Sequence, residues 1–227
     1  MKTFIIHLSK IPSSLESALQ LQEDLKSINL KAELFEGTYG NEAEELMKEE
    51  NRVIHPVSFK GTLIDDHYIA KNNRPGVKGC FYSHYRLWQK CVDLDETICV
   101  FEDDVNIVRP LTMVDFEDVL IITLGARKSD RYKHFLYEPL GEPRAEYYHN
   151  SSMPGTTGYL ISPQGAKKLL STYKHTYLAS DNAMNTMAID IKIHSHLVGL
   201  ASLDKKSLTR STEFWNKFKN EKNSNNG

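Results

Sequence analysis

The sequence predicts an α/β protein with a central, mostly parallel sheet flanked by helices, and three stretches carry that prediction. In Thr3 to Phe35, an apolar run, an amphipathic helix and a second apolar run follow one another within about forty residues, the span of a βαβ unit. Ile98-Cys99-Val100-Phe101 is apolar without alternation, as in a strand covered on both faces, and Glu102-Asp103-Asp104 follows without a gap. Gly155 to Leu170 reads as a strand, then Ser162 as helix N-cap, Pro163 at the first helical position and a helix behind it.

Taken in order, the first strand covers Thr3 to Leu8 and is apolar or β-branched apart from His7. Met1 to Leu8 opens like a signal peptide, but its apolar core is too short, so a mature strand is expected. The helix from Pro12 to Ile28 has Leu15, Ala18, Leu19, Gln22, Leu25 and Ile28 at helical spacing, and Ala32 to Phe35 forms the second strand. The glutamate-dense stretch Asn41 to Asn51 suits a solvated helix. From Arg52 to Pro75 the turn residues predict loop, with Asp65-Asp66-His67 in it.

Order returns at Gly79, where Cys80, His84, Leu87, Trp88 and Cys91 share one helical face and Ser83 and His84 stand near the helix start. A strand is expected at Val119 to Leu124, and a short helix is capped by Ser180-Asp181-Asn182. His194 and His196 point to one face of a last strand. Ala126 to Gly155 is rich in tyrosine, histidine and arginine, the groups that stack on pyranose faces and bond hydroxyls, although a surface loop has the same composition.

The acidic trio is the chemical centre. Three adjacent carboxylates at the end of a core strand repel one another and lose hydration, a cost a divalent cation removes. Oxygen ligands favour Mg²⁺ or Mn²⁺, and ligands of open α/β sheets gather at the carboxyl ends of strands. A solvated acidic turn is the plainer alternative. Asp181 is likewise a helix-dipole carboxylate or a catalytic one, His7 a satisfied histidine or a ligand contact, and His84 a core histidine or a site residue.

Composition excludes other classes. With formal net charge −2 there is no basic surface for nucleic acid, and no apolar run is long enough to span a bilayer. Cys80, Cys91 and Cys99 lack metal-ligand spacing and read as reduced core cysteines of a cytoplasmic protein.

The opening strand with Leu8-Ser9-Lys10, Gly79-Cys80 with Ser83-His84 and Trp88, Phe101-Glu102-Asp103-Asp104-Val105, Gly158-Tyr159-Leu160-Ile161-Ser162 with Gly165-Ala166-Lys167, and Asp181 together resemble glycosyltransferase family 25, over about residues 1 to 210. The resemblance implies a Rossmann-like sandwich of the GT-A type as one domain over 1–212, and an inverting enzyme. Such an enzyme moves a hexose, galactose ahead of glucose, from a UDP-sugar to an oligosaccharide or glycolipid acceptor in lipooligosaccharide or lipopolysaccharide assembly. It further implies Mn²⁺ or Mg²⁺ held by Asp104, Asp181 as catalytic base, and His7, Ser9, Ser83, His84, Glu102, Asp103 and Gly158 on the donor side. His196 is an additional metal candidate, with His194 an equal choice. At the first loop His7, Ser9 and Lys10 stand where the family often has Asn-Leu-Asp-Arg.

Two other readings belong to different classes: a transferase-like module that binds saccharide without turnover, and a metal-dependent phosphohydrolase, for which the nucleophile and P-loop patterns are missing. Residues 213–227 are expected to form an amphipathic segment and a disordered tail. Phe214, Trp215 and Phe218 either rest on the cytoplasmic face of the inner membrane or pack on the domain.

Overall fold

The strands alternate with helices, as the hydrophobic pattern requires, and among the described residues seven strands assemble into one sheet. The computed structural model describes residues 1–56, 66–105, 107, 113–125, 145–147, 157–186 and 189–202. Strands β1 (Lys2–His7) and β2 (Ala32–Glu36) flank helix α1 (Pro12–Ser27). Helix α2 (Gly40–Glu49), strand β3 (Val53–Ile54), and helices α3 (Asp66–Asn72) and α4 (Pro75–Leu94) lead to β4 (Ile98–Glu102). Then come β5 (Val119–Gly125), β6 (Ala145–Tyr147), β7 (Gly158–Ile161), α5 (Pro163–Thr172), β8 (Thr176–Tyr177), α6 (Ser180–Ala183) and β9 (Ile193–Ser202).

The sheet order is β2-β1-β4-β7-β5-β9-β6, and β3 pairs with β8 in a separate ribbon. β1 is parallel to both β2 and β4, β5 is parallel to β9, and β7 and β6 run against the other five. The sheet is therefore mostly parallel, as predicted, with β7 inserted antiparallel between β4 and β5. No helix among the described residues is long and apolar enough to cross a membrane.

Period-two alternation sends strand side chains into two cores. Phe4, Val100, Tyr159 and Ile161 join Phe81, Trp88, Leu169 and Tyr173 on the face covered by α4 and α5, whereas Ile5, Cys99, Phe101 and Leu160 pack with Ala18, Leu21 and Leu25 of α1. Both faces of β4 are thus buried, which is why its apolar run has no polar alternation. Ser162 Oγ accepts from the Gly165 amide at 3.1 Å with Pro163 behind it, the predicted cap.

Four local expectations are corrected. The buried stripe of α1 is Ser14, Ala18, Leu21 and Leu25, while Leu19 is exposed. The glutamate-rich helix is not wholly solvated, because Ala43 and Met47 bury one stripe in the core of the α4 face and Lys78 pairs with Glu44 at 2.8 Å. Part of the expected loop is α3, whose buried Asn72 accepts from the Ala179 amide at 2.8 Å; Asp65 lies outside the described residues. Helix α4 begins at Pro75, not Gly79, since proline is pre-set for the first helical position; His84 therefore lies inside the helix and gains nothing from its amino-terminal dipole.

The close passage of α4 under the loop before α2 yields a stability prediction. A Cβ on Gly79 would lie 2.5 Å from the Thr38 carbonyl oxygen and 3.1 Å from the Gly40 nitrogen, backbone atoms that cannot swing aside. Gly79→Ala, which in an open helix gains up to about 1 kcal/mol, is expected here to lose about 1–3 kcal/mol in a denaturant titration.

Candidate functional site

Three adjacent parallel strands end at the same edge, and their register decides which side chains meet there. His7 pairs with Glu36 across β1 and β2, and Ile6 pairs with Glu102 across β1 and β4. Glu36, His7 and the trio Glu102-Asp103-Asp104 therefore leave the sheet together, at the carboxyl end where α/β ligand sites form.

The loop from β1 to α1 is pinned onto this edge. Ser14 Oγ accepts from the Leu8 amide at 2.9 Å and donates to Asp103 Oδ2, a link across 89 residues of sequence. Burial pushes the Asp103 carboxyl above its usual range; the Ser14 hydroxyl works against this and the Glu102 charge adds to it. For Glu36, burial alone would raise the carboxyl, but the Ser9 amide and the Tyr39 hydroxyl, each 3.0 Å from Oε1, outweigh it and hold the group low. His7 is buried, its Nε2 is 3.8 Å from Glu36 Oε2, and its Nδ1 has no hydrogen-bond partner among the described residues.

The opposite wall comes from α4, β7 and α6. The Glu102 amide donates to the Thr157 carbonyl at 2.9 Å, which places Gly158, opposite Phe101, at the same edge. Glu102 Oε1 lies 3.1 Å from His84 Nε2 and 3.7 Å from Cys80 Sγ, and that sulfur is 3.1 Å from Ser180 Oγ. Desolvation by burial, reinforced by the Glu102 charge, pushes the Cys80 thiol well up, so it is a thiol that donates to the carboxylate. Through Cys80, the first turn of α6, with Asp181 in it, is held against the acidic end of β4.

Chemically, the edge offers a carboxylate cluster and a separate carboxylate on a neighbouring turn. Glu102, Asp103 and Asp104 are each partly buried, which places them at a rim rather than in open solvent. Hard oxygen donors carrying mutual repulsion, one of them pushed toward protonation, fit a divalent cation such as Mn²⁺ or Mg²⁺. Cys80, His84 and Glu102 also bring ligand atoms within 4.8 Å of one another, a softer donor set.

The expected site residues divide accordingly. His7, Ser9, Glu102, Asp103, Asp104, Gly158 and Asp181 come to one edge or its margin. Ser83 and His84 do not face a cleft. Ser83 is buried, accepting from the Thr38 amide at 2.8 Å and donating to the Gly79 carbonyl at 2.7 Å, so it pins the loop after β2. His84 is fully buried with both ring nitrogens engaged, and it reaches the edge only through Glu102. His194 and His196 are on β9, three places from β4 in the sheet, or about 14 Å at strand spacing. The side chain of His196, the stretch 126–144 with its arginines and aromatics, and the tail 213–227 lie outside the described residues.

Sequence reasoning missed Ser14, Glu36, Tyr39 and Tyr159 as supports of the edge. It read Cys80 only as core. The available signal for Cys80 was its place one turn before His84 on the same helical face.

Comparison with known proteins identifies the family. A model of glycosyltransferase family 25, described as lipopolysaccharide biosynthesis protein, matches residues 1–184. The chain is 32% identical over 137 residues to lipooligosaccharide biosynthesis protein lex-1 of Haemophilus influenzae, covering 54% of this chain and 43% of that one. It is 30% identical over 129 residues to lipooligosaccharide biosynthesis protein lic2B of the same species, covering 51% and 46%. It is 27% identical over 181 residues to a glycosyltransferase 25 family member of Drosophila pseudoobscura pseudoobscura, covering 74% and 26%. The matched region spans less than half the length of each of these relatives. With the family model matching all but the last part of the described fold, the chain belongs to glycosyltransferase family 25.

Proposed function

We propose that this protein transfers a hexose, with inversion, from a UDP-sugar to a saccharide hydroxyl during lipooligosaccharide assembly, with galactose ahead of glucose as the hexose and a GT-A arrangement of the donor site. The observation that carries this reading is the meeting of the acidic trio and the Asp181 turn at one sheet edge, joined by Cys80. Two relatives named for lipooligosaccharide biosynthesis support the acceptor class.

Each residue has a distinct task in this reading. Asp104 would hold Mn²⁺ or Mg²⁺, which would supply Lewis-acid charge toward the departing UDP. Asp181 takes the proton of the acceptor hydroxyl as it attacks the anomeric carbon. Glu102 accepts hydrogen bonds from a donor hydroxyl, and His7, buried with an open ring nitrogen, lies beside the nucleotide. Ser9 orders the loop by donating to Glu36. A glycolipid acceptor places the protein on the cytoplasmic face of the inner membrane as a peripheral protein.

A thermal-shift panel tests this directly. Selective binding stabilises the native state by about 2.7 kcal/mol at a hundred times Kd. UDP-galactose or UDP-glucose is expected to raise the Tm in the presence of Mn²⁺, with the shift lost on chelation and not reproduced by ADP-sugars. No shift with any UDP-sugar overturns the proposal; a metal-independent shift without turnover supports a saccharide-binding module instead.

A further inference from the structure

His84 was expected to touch the donor, yet it is sealed in the core, and its two ring nitrogens are bound in a way that fixes a direction. Trp88 Nε1 is 3.1 Å from the Tyr159 hydroxyl, that hydroxyl is 2.9 Å from His84 Nδ1, and His84 Nε2 is 3.1 Å from Glu102 Oε1. Trp88, Tyr159 and His84 are all fully buried, so water does not complete any of these bonds.

An indole nitrogen can only donate. Tyr159 therefore accepts from Trp88, and its single hydrogen has one acceptor among the described residues, His84 Nδ1. With Nδ1 accepting, the ring proton sits on Nε2 and points at Glu102. The far end demands the same direction, because an ionised carboxylate only accepts. The opposite tautomer would put two donors on Tyr159 and strand its own hydrogen in the core, the arrangement buried polar groups avoid.

We propose that Trp88, Tyr159 and His84 form a hydrogen-bond chain of fixed polarity that presents an N–H to Glu102, making His84 a positioning residue for the carboxylate that receives a donor hydroxyl. A second chain arrives at the same oxygen, Ser180 to Cys80 to Glu102, in which the thiol donates. Two donors on Oε1 fix the carboxylate's rotation and keep it an acceptor. The Cys80, His84 and Glu102 cluster is then an organised carboxylate and not a transition-metal centre, since a metal on Nε2 would require that nitrogen to give up its proton and reverse the chain. Glu102's part in this inference rests on the transferase reading; the polarity of the chain does not.

The test separates the two. In ¹⁵N-histidine protein without substrate, His84, assigned by its loss in His84→Gln, is expected to show the Nε2–H tautomer, and Tyr159→Phe is expected to keep that tautomer, held by Glu102 alone, while the Nδ1 resonance shifts on losing its hydrogen bond. In donor kinetics, His84→Leu, which fills the space without a polar atom, is expected to raise the KM for the UDP-sugar about tenfold. His84→Gln, whose amide can donate to Glu102 and accept from Tyr159, is expected to restore it to within about threefold. A wild-type Nδ1–H ring overturns the proposal, as does stoichiometric Zn²⁺ in the purified protein that Cys80→Ser removes. Failure of glutamine to rescue while the ring is the Nε2–H form overturns the positioning role. A loss of all donor binding in the wild type overturns the transferase reading and leaves the tautomer result to stand.

Discussion

Asp104→Ala is expected to reduce sugar transfer by at least about 10³-fold, equivalent to about 4 kcal/mol of transition-state stabilisation, while the fold persists. The size follows from where the side chain stands. Asp104 leaves β4 two residues beyond the strand, partly buried, in a turn closed by the fully buried Val105. Val105 packs in the α1 core with Phe101 and Leu120, so the turn is anchored without the carboxylate, and truncation removes no core volume. With the proposed cation held there, loss of the Asp104 carboxylate would leave the departing diphosphate's charge uncompensated, a deficit the remaining carboxylates would enlarge because they would repel the phosphates. Initial rates of UDP release, with Mn²⁺ raised far above the wild-type requirement, measure the effect, and far-ultraviolet dichroism checks the fold. Turnover within tenfold of wild type would remove Asp104 from the metal role. Asp103→Ala is the informative contrast, since Asp103 is held by Ser14 and its loss also frees the β1 to α1 loop.

How much of this was legible before the structure depends on whether the determinant is local. The strand Ile98 to Phe101 and its acidic end could be read directly, because burial on both faces erases polar alternation and leaves a run no helix of that length needs. The Ser162-Pro163 cap was legible for the same reason, as its chemistry lies within four residues. The direction of β7 was not, because pairing between β4 and β5 is set by long-range topology and not by its own residues. Pro75 closes the expected loop in the sequence pattern but opens α4 in the structure, which moves His84 from the helix start to its interior. In the site, residue types were legible and their partners were not. Ser14 finds Asp103, and Cys80 finds Ser180 100 residues away, through packing that leaves no periodic trace in the sequence. His196 is the converse: its strand was expected correctly, but strand order puts β9 three places from β4.

Asp181→Asn carries the second large effect, an expected fall in kcat of about 10²–10⁴-fold with the KM for the UDP-sugar little changed. Two roles compete for this carboxylate, and their magnitudes decide between them. A charge in the first turn of a helix is worth about 0.3–1 kcal/mol to stability, and α6 has only four residues, Ser180–Ala183, so its dipole is at the weak end. A general base contributes through the proton of the acceptor hydroxyl, which asparagine cannot take. Asparagine keeps the shape and the hydrogen-bonding reach, and the turn stays fixed by Ser180 against Cys80 and by the Ala183 carbonyl, which accepts from Tyr173 at 3.0 Å. The variant should therefore melt within a few degrees of wild type and still show the UDP-sugar thermal shift, because the residues proposed for metal and donor stand at the ends of β4 and β1. Hydrolysis and transfer followed separately locate the defect: a base for the acceptor leaves donor binding intact and slows attack. A normal kcat with a lowered Tm would instead assign Asp181 to the helix, and the base would have to be sought elsewhere along the same sheet edge.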